Sequence, residues 1–344
     1  MHNLLVPVAR IVDRADTVGT LTAQLPHQRF VTIVGTGVRF VDLATVGEPL
    51  QLPVALASVL GLEAGSEQPS ADLITFLKDK QMLLVLDNRE HVIEAAADVA
   101  VRILRGAPGV RILATSREVL RAEGEHVHRL PPLACPPPSA GLTAADALRF
   151  PAVQLFVERE AAFLGEFKLV DHDAPLVADI CRRLDGLPLA IELAAARVDA
   201  LGLRGLTMHL DDRLQLLTGG TRPAVPRHQS LRATLEWSHQ LLSRPERAVF
   251  RRLAIFADGF TLAAAGAIAA SAEIGAPEVV ECVANLVAKS IVAADVDRAV
   301  PSYWLLETAR AYALEKLHES GEFEQVQHRH AAYFEGSLQS GRMK

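Results

Sequence analysis

Residues 180–197 read ICRRLDGLPLAIELAAAR, and the pattern within them indicates how the middle of the chain folds. Apolar side chains recur every three or four residues from Leu176 to Leu184, which predicts an amphipathic helix. Gly186 allows a close backbone approach, and Pro188 has a fixed backbone angle that suits the first turn of a second helix. The stretch therefore predicts two helices joined by a tight turn, with a structural role for Gly186 and Pro188 whether or not a ligand binds.

Short apolar runs alternate with helical patterns in the part of the chain that precedes this helix pair. The runs are rich in Val, Ile and Leu and lack polar alternation, so we expect a parallel sheet covered on both faces. The predicted strands are residues 31–35, 38–43, 82–87, 110–115 and 127–130, and the predicted helices are residues 71–78 and 90–105. This alternation is typical of an α/β fold.

The C-terminal part has a different pattern. Ser243 and Glu246 have the S-x-x-E spacing of a capping box at the start of a helix. A further helix is predicted from about Pro277, followed by strands over residues 290–293 and 303–306 and by a last helix from about residue 308 to Gly321. Three helices with a β-hairpin form a winged-helix arrangement.

Two loops rich in proline or glycine, at residues 131–138 and 218–226, mark the boundaries between these parts. The predicted domains are residues 1–137 (nucleotide-binding-like α/β), 138–222 (helical), 223–321 (winged helix) and 322–344 (helical tail).

Composition limits the function classes. The chain has 344 residues, of which 50% are hydrophobic and 22% charged, and this excludes a disordered chain. Its net charge of −6 gives no long-range attraction to DNA or to anionic lipid. No apolar run is long enough to span a membrane, and the N-terminal residues and scattered cysteines lack the patterns of a signal peptide or a disulfide framework. We expect a cytoplasmic protein that does not bind membranes.

Two predicted strands end in residues that could bind a ligand or a metal ion. MLLVLDN ends in Asp87 and Asn88, and an acid at this position of a nucleotide-hydrolysing α/β fold reaches the Mg²⁺ bound to phosphate. VRILATSR ends in Arg117, which would point into the crevice at the carboxyl ends of the strands. The alternatives are that Asp87 caps the following helix and that Arg117 is solvated.

Five motifs occur in order along the chain: LLVLDN, ILATSRE, ICRRLDGLPLAIELAAAR, RHQSLRATLEWS, and LLET followed by YALEKL. In this order they resemble the STAND-class (NB-ARC-like) predicted ATPases of bacterial winged-helix or LuxR-type transcriptional regulators. The resemblance implies a parallel sheet of the P-loop NTPase type, followed by a helical domain and a winged-helix domain. It also implies a switch that holds ADP when off and ATP when on.

The resemblance assigns roles to residues of this chain. Asp87 would be the Walker B acid, the catalytic carboxylate and the Mg²⁺ ligand, and Arg117 would be the sensor arginine. The residues that would contact the adenine or ribose, or flank the base, are Gly186, Leu187, Pro188, Val12 and Arg14. Asp13 stands where the family usually has Gly.

The phosphate loop of the family is missing. The strand FVTIVG ends at Gly35 and is followed only by Thr36 and Gly37 before the next strand pattern, VRFVDLA. In the family a G-x-x-x-x-G-K-[ST] loop stands here, whose Lys, hydroxyl side chain and helix hold the phosphates and Mg²⁺, and the resemblance leaves Gly35 and Gly37 as candidate cofactor-binding residues. We therefore predict a degenerate phosphate site.

The short link also limits the sheet. In the family the two strands are three positions apart, a lateral distance of about 14 Å, whereas a two-residue link spans at most about 7 Å. Either the two strands form a tight antiparallel hairpin, or one of them lies outside the sheet.

The helix PEVVECVANLVAKS is the candidate recognition helix of the winged helix. It exposes Glu278 and Glu281 and has one cation, Lys289, whereas a reader of the major groove brings several basic or amide side chains. We expect the winged helix to pack against other parts of the protein, and we expect no direct DNA binding by this chain. In relatives a His of a Met-His-Asp motif touches the nucleotide, and the matching positions here are Leu305, Leu306 and Glu307.

The prediction is a regulatory module of a transcriptional regulator that binds ADP or ATP with Mg²⁺ weakly or not at all and has no ATPase turnover. Its expected partners are other regulator domains or a second copy of this chain. Two alternatives stay open: a working ATP-hydrolysing switch, and an interaction scaffold that binds no nucleotide.

Overall fold

The computed structural model describes residues 18–19, 30–34, 51–60, 62, 69–86, 92–116, 118–139, 141–164, 167–210, 217, 230–296 and 298–341. The chain divides into two compact units, Met1–Pro131 and Pro132–Lys344. Within the described residues, the first unit combines a small parallel sheet with helices, and the second is helical apart from a β-hairpin and isolated β-bridge residues.

Four parallel strands form the described sheet of the first unit, in the order β2-β3-β1-β4. Their bounds are β1 Phe30–Val34, β2 Met82–Leu86, β3 Val110–Ser116 and β4 His126–Arg129. Each lies within one residue of a strand predicted from an apolar run. The predicted strand over residues 38–43 lies outside the described residues, and the large sheet implied by the resemblance is not evident in the rest.

Both edges of β1 are occupied, because β1 pairs with β3 on one side and with β4 on the other. A hairpin between β1 and the next strand would need a free edge of β1, and residues 35–43, on which this alternative also depends, lie outside the described residues.

Three helices pack with this sheet: α1 Leu52–Val59, α2 Pro69–Leu77 and α3 Ile93–Gly106. Buried side chains of both layers form one hydrophobic cluster that includes Leu52, Leu77, Leu86, Ile103 and Ile112. The sheet is less covered than predicted, because Leu83 of β2 is 44% exposed and Val127 of β4 is 41% exposed. Both strands are outermost in the described sheet, so each has a strand neighbour on one side only.

The second unit begins with a helical part. The described residues between 144 and 209 form α4 Ala144–Ala147, α5 Pro151–Leu164, α6 Ala174–Arg183, α7 Pro188–Ala195 and α8 Val198–His209. α5 packs against α6 and α7, and α8 packs against the same two helices. α6 and α7 are the predicted helix pair, and their apolar faces are buried through Ile180, Leu184, Ile191 and Ala194.

A winged-helix domain follows. Its elements are α9 Leu231–Gln240, α10 Arg244–Leu253, α11 Leu262–Ala269, α12 Ala276–Ala288, β5 Val292–Asp295, β6 Ser302–Leu305 and α13 Glu307–Glu319. β5 and β6 pair antiparallel as the wing, and Phe260 adds a single bridge to Tyr303. This order confirms the winged-helix prediction.

Local signals explain where these elements begin. The Ser243 side chain accepts a hydrogen bond from the Glu246 amide, and the Glu246 carboxylate accepts one from the Ser243 amide, which confirms the capping box. β5 begins two residues later than predicted. Ser290 has a φ of 57°, and the Ile291 amide donates to the Leu286 carbonyl, so a helix-ending turn occupies these positions.

The last helix, α14 Phe323–Gly341, packs against α11. It is joined to the winged helix by Glu322, whose carboxylate accepts hydrogen bonds from Arg251 at 2.8 Å and from Arg252 at 2.8 Å.

Among the described residues, no helix is long and apolar enough to cross a membrane.

Candidate functional site

The predicted base-contacting residues lie in the turn between α6 and α7. Asp185 and Gly186 have φ angles of 57° and 65°, so two consecutive left-handed residues reverse the chain. The Gly186 amide donates to the Cys181 carbonyl at 3.0 Å, and Pro188 begins α7. We use the name GLP loop for residues 185–188.

Gly186 packs directly on the chain that leads into the helical part. The Leu133 amide donates to the Gly186 carbonyl at 2.9 Å. A Cβ atom on Gly186 would overlap the Leu133 carbonyl oxygen, so no other residue fits here without a backbone shift. Next to this contact, Arg182 donates to the Pro136 carbonyl at 3.1 Å. The close backbone approach predicted for Gly186 is confirmed, and the approaching group is protein backbone.

Asp185 links the GLP loop to the winged helix. Its Oδ1 accepts a hydrogen bond from the Glu307 amide at 3.0 Å, and its Oδ2 accepts one from the Thr308 amide at 2.9 Å. The Thr308 hydroxyl donates to the same Oδ2 at 3.0 Å. Thr308 is buried, with 1% of its surface exposed. Asp185 therefore caps α13 from 123 residues away in the sequence.

Sequence reasoning missed Asp185, although a signal was available. The residue at the N-cap position of α13 is Leu306, which makes no side-chain capping hydrogen bond. Ser, Thr, Asp or Asn normally stands there. An apolar residue at the start of a helix indicates that the cap comes from elsewhere in the fold.

The other predicted site residues are Val12, Arg14, Gly35, Gly37, Asp87 and Arg117, and all of them lie outside the described residues. The strands that precede Asp87 and Arg117 are adjacent and parallel, since β2 pairs with β3 from Met82 to Leu86. Both strands thus end at the same edge of the sheet, as the prediction requires. The roles of the two residues stay predictions.

Metal ligation by Asp87, which lies outside the described residues, stays a prediction. Elsewhere, in the part of the chain that the structure describes, no group of three or more His, Cys, Asp or Glu side chains could hold a metal ion.

The recognition-helix position of the winged helix is taken by α12. Its exposed residues include Glu278, Val280 and Glu281. Lys289, at the end of the helix, donates to both carboxylate oxygens of the buried Glu246, at 2.9 and 2.8 Å. Burial alone would raise the pKa of Glu246, but the hydrogen bonds from Lys289 and Ser243 outweigh it and hold the pKa below its ordinary value. The cation of this helix is therefore committed to an internal ion pair.

Residues 242–318 match the winged helix-turn-helix domain family. Over 335 residues the chain is 40% identical to Rv0890c of Mycobacterium tuberculosis, which is named as an HTH-type transcriptional regulator. That match covers 91% of this chain and 36% of the relative, so the chain spans about a third of the relative's length. Over 287 residues it is 40% identical to Rv0894 of the same organism, covering 83% of this chain and 70% of that protein. This chain belongs to the Rv0894 family.

Among solved structures, this chain is similar to a Signal Transduction ATPase with Numerous Domains (STAND) protein with a tetratricopeptide repeat sensor from Pyrococcus horikoshii. The sequence identity is 12%, the TM-score is 0.32, and the match covers 97% of this chain and 46% of that chain. The degenerate phosphate loop stays a prediction.

Proposed function

We propose that this chain is a regulatory signalling module of a transcriptional regulator, in which the winged helix packs against the helical part and does not read DNA through α12. The observation that supports this most is the cap that Asp185 supplies to α13. Because the first amides of α13 bind Asp185 of the helical part, this helix of the winged-helix domain packs against the helical part. As part of a transcriptional regulator, the module would act in the cytoplasm.

Further contacts support packing as the role of α13. The Tyr312 hydroxyl donates to Glu236 of α9 at 2.6 Å, and Arg232 of α9 lies 3.0 Å from Glu315. α9 in turn packs against α7 as well as α13. α13 is therefore held by side chains from the GLP loop and from α9.

We also propose that the nucleotide site is degenerate. Without the Lys and the hydroxyl of a phosphate loop, Asp87 would be the predicted Mg²⁺ ligand that remains, and we expect no ATP hydrolysis. Helix N-termini commonly bind phosphates, but the first amides of α13 already bind the Asp185 carboxylate. Any remaining affinity would come from base and ribose contacts at Gly186, Leu187 and Pro188.

Calorimetry with ADP and with adenosine tests this part of the proposal. If only base and ribose contacts remain, the two ligands should bind with similarly weak affinity. ADP binding more than about a hundredfold tighter than adenosine, about 2.7 kcal/mol, would show that the phosphates have a cradle and would contradict the proposal. Absence of binding by both ligands would favour the nucleotide-independent scaffold.

DNA binding is the second candidate function. The winged helix-turn-helix match and the relatives named as HTH-type transcriptional regulators favour it, and they fit poorly with the absence of direct DNA binding. The acidic face of α12 and the Lys289–Glu246 ion pair argue against it. Titration of duplex DNA with this chain decides between the two candidates.

A further inference from the structure

We propose that Asp185 is a latch that couples the GLP loop to the winged helix, so that displacement of the loop uncaps α13 and loss of the α13 contact loosens the loop. This inference does not depend on nucleotide binding. It rests on three hydrogen bonds, on the burial of Thr308 and on the fixed backbone of the loop.

The loop determines where the carboxylate lies. The left-handed conformation is unfavourable for most residues with a side chain, and Asp is among those that tolerate it best. Directly after Asp185, Gly186 is held by hydrogen bonds from its amide to Cys181 and from Leu133 to its carbonyl. The position of the Asp185 carboxylate is therefore coupled to the contact between the loop and residue 133.

The N-terminus of α13 favours binding of a negatively charged group. The first amides of a helix have no acceptor within the helix and lie at the positive end of its dipole, and the N-cap residue of α13, Leu306, supplies no side-chain acceptor, so Asp185 fills this role. If Asp185 moves away, the Thr308 hydroxyl and the amides of Glu307 and Thr308 lose these bonds at a site where Thr308 is buried. The cost of leaving these groups without hydrogen bonds stabilises the latched state over any state in which Asp185 has moved away.

A simple structural cap would stabilise α13 and nothing else, whereas a latch must act in both directions. Hydrogen exchange of the whole chain distinguishes the two. In Asp185→Ala we expect the protection of the first turn of α13 to fall by about fivefold, the usual effect of losing an N-cap. The amides of Gly186 and Leu187 should lose protection in the same variant and also in Asp185→Asn, which tolerates the left-handed backbone but cannot accept hydrogen bonds at both carboxylate positions.

The α13 side of the latch is tested with Thr308→Val, which removes the hydroxyl and keeps the volume. We expect this change to lower the protection of Gly186 and Leu187, while Thr308→Ser, which keeps the hydroxyl, leaves them unchanged. The amide of Val283, in the core of α12, serves as the internal reference, because equal loss there would indicate global destabilisation and would contradict the latch.

A second substitution that restores the N-cap of α13 distinguishes a latch from a purely structural cap. Adding Leu306→Ser to Asp185→Ala supplies a local N-cap, so the protection of the α13 amides should return. The amides of Gly186 and Leu187 should keep their lowered protection. Recovery of both regions would contradict the latch and leave a structural cap. The latch would also be wrong if Asp185→Ala did not change the protection of α13, or if Thr308→Val did not change that of the loop.

Discussion

Lys289 places its ammonium nitrogen 2.8 Å from Oε2 of Glu246, and this pair joins the end of α12 to the start of α10. Glu246 is 5% exposed, and its carboxylate also accepts the Ser243 amide of the capping box. The cation of α12 thus stabilises the interior of the winged helix.

Replacing Lys289 with Met is expected to lower the free energy of unfolding by about 2–3 kcal/mol, because it leaves the buried Glu246 carboxylate without its cation. Chemical denaturation measures this change. The matched control is Arg298→Ala, which breaks the ion pair between Arg298 and Asp295. The Arg298 side chain is 67% exposed. The control should cost less than about 1 kcal/mol, and equal effects of the two variants would contradict the assignment.

The Glu322 carboxylate is expected to make the free energy of unfolding depend on pH. Burial alone would raise its pKa, but hydrogen bonds from Arg251 and Arg252 outweigh this and lower the pKa from 4.5 to about 2. Because the folded pKa is below the unfolded one, the stabilisation is fully present above pH about 4.5 and is lost as the pH falls towards 2. Glu322→Gln should remove this component, about 2 kcal/mol after allowance for partial exposure. Unfolding curves between these pH values show it, and an unchanged slope in the variant would refute the role.

Gly186→Ala is expected to destabilise the second unit by about 2–4 kcal/mol, because a Cβ atom overlaps the Leu133 carbonyl oxygen and the φ angle is positive. Gly321→Ala is the matched control. Gly321 also has a positive φ, of 72°, but no atom within 4 Å of its added Cβ, so only the backbone strain of about 1–2 kcal/mol applies. Thermal unfolding of both variants should separate them, and equal losses would exclude the overlap as the cause.

The proposed degenerate phosphate site lacks the Lys and the Mg²⁺-binding hydroxyl of a phosphate loop, so ATP turnover is expected at the background rate. Asp87→Ala should then leave the rate of phosphate release unchanged. A measurable rate that disappears in this variant would establish the working ATPase instead.

The sequence predicts features that depend on neighbouring residues. The capping box of Ser243 and Glu246 spans three residues, and Pro188 marks the start of α7 by its own fixed geometry. The strands β1 to β4 follow from apolar runs. The position of β5 could not be predicted as well, because the left-handed Ser290 and its turn give no clear sequence signal.

The candidate site is predicted less completely, because its partners are distant in the sequence. The sequence predicts a close approach at Gly186, but the pattern does not show that Leu133 is the neighbour. Asp185 reads as an ordinary loop residue, and its bond to Thr308 joins positions 123 residues apart. Only the apolar Leu306 at the start of α13 indicates that a cap is missing.

Binding of duplex DNA tests the central claim most directly. Fluorescence anisotropy would follow a labelled duplex titrated with this chain and with Glu278→Lys/Glu281→Lys, which gives α12 the charge of a DNA reader. We predict no binding by the unchanged chain above the weak level of non-specific contacts, and a gain of salt-dependent binding by the variant. Tight binding by the unchanged chain, falling steeply with salt concentration, would contradict the proposal that this winged helix packs and does not read DNA.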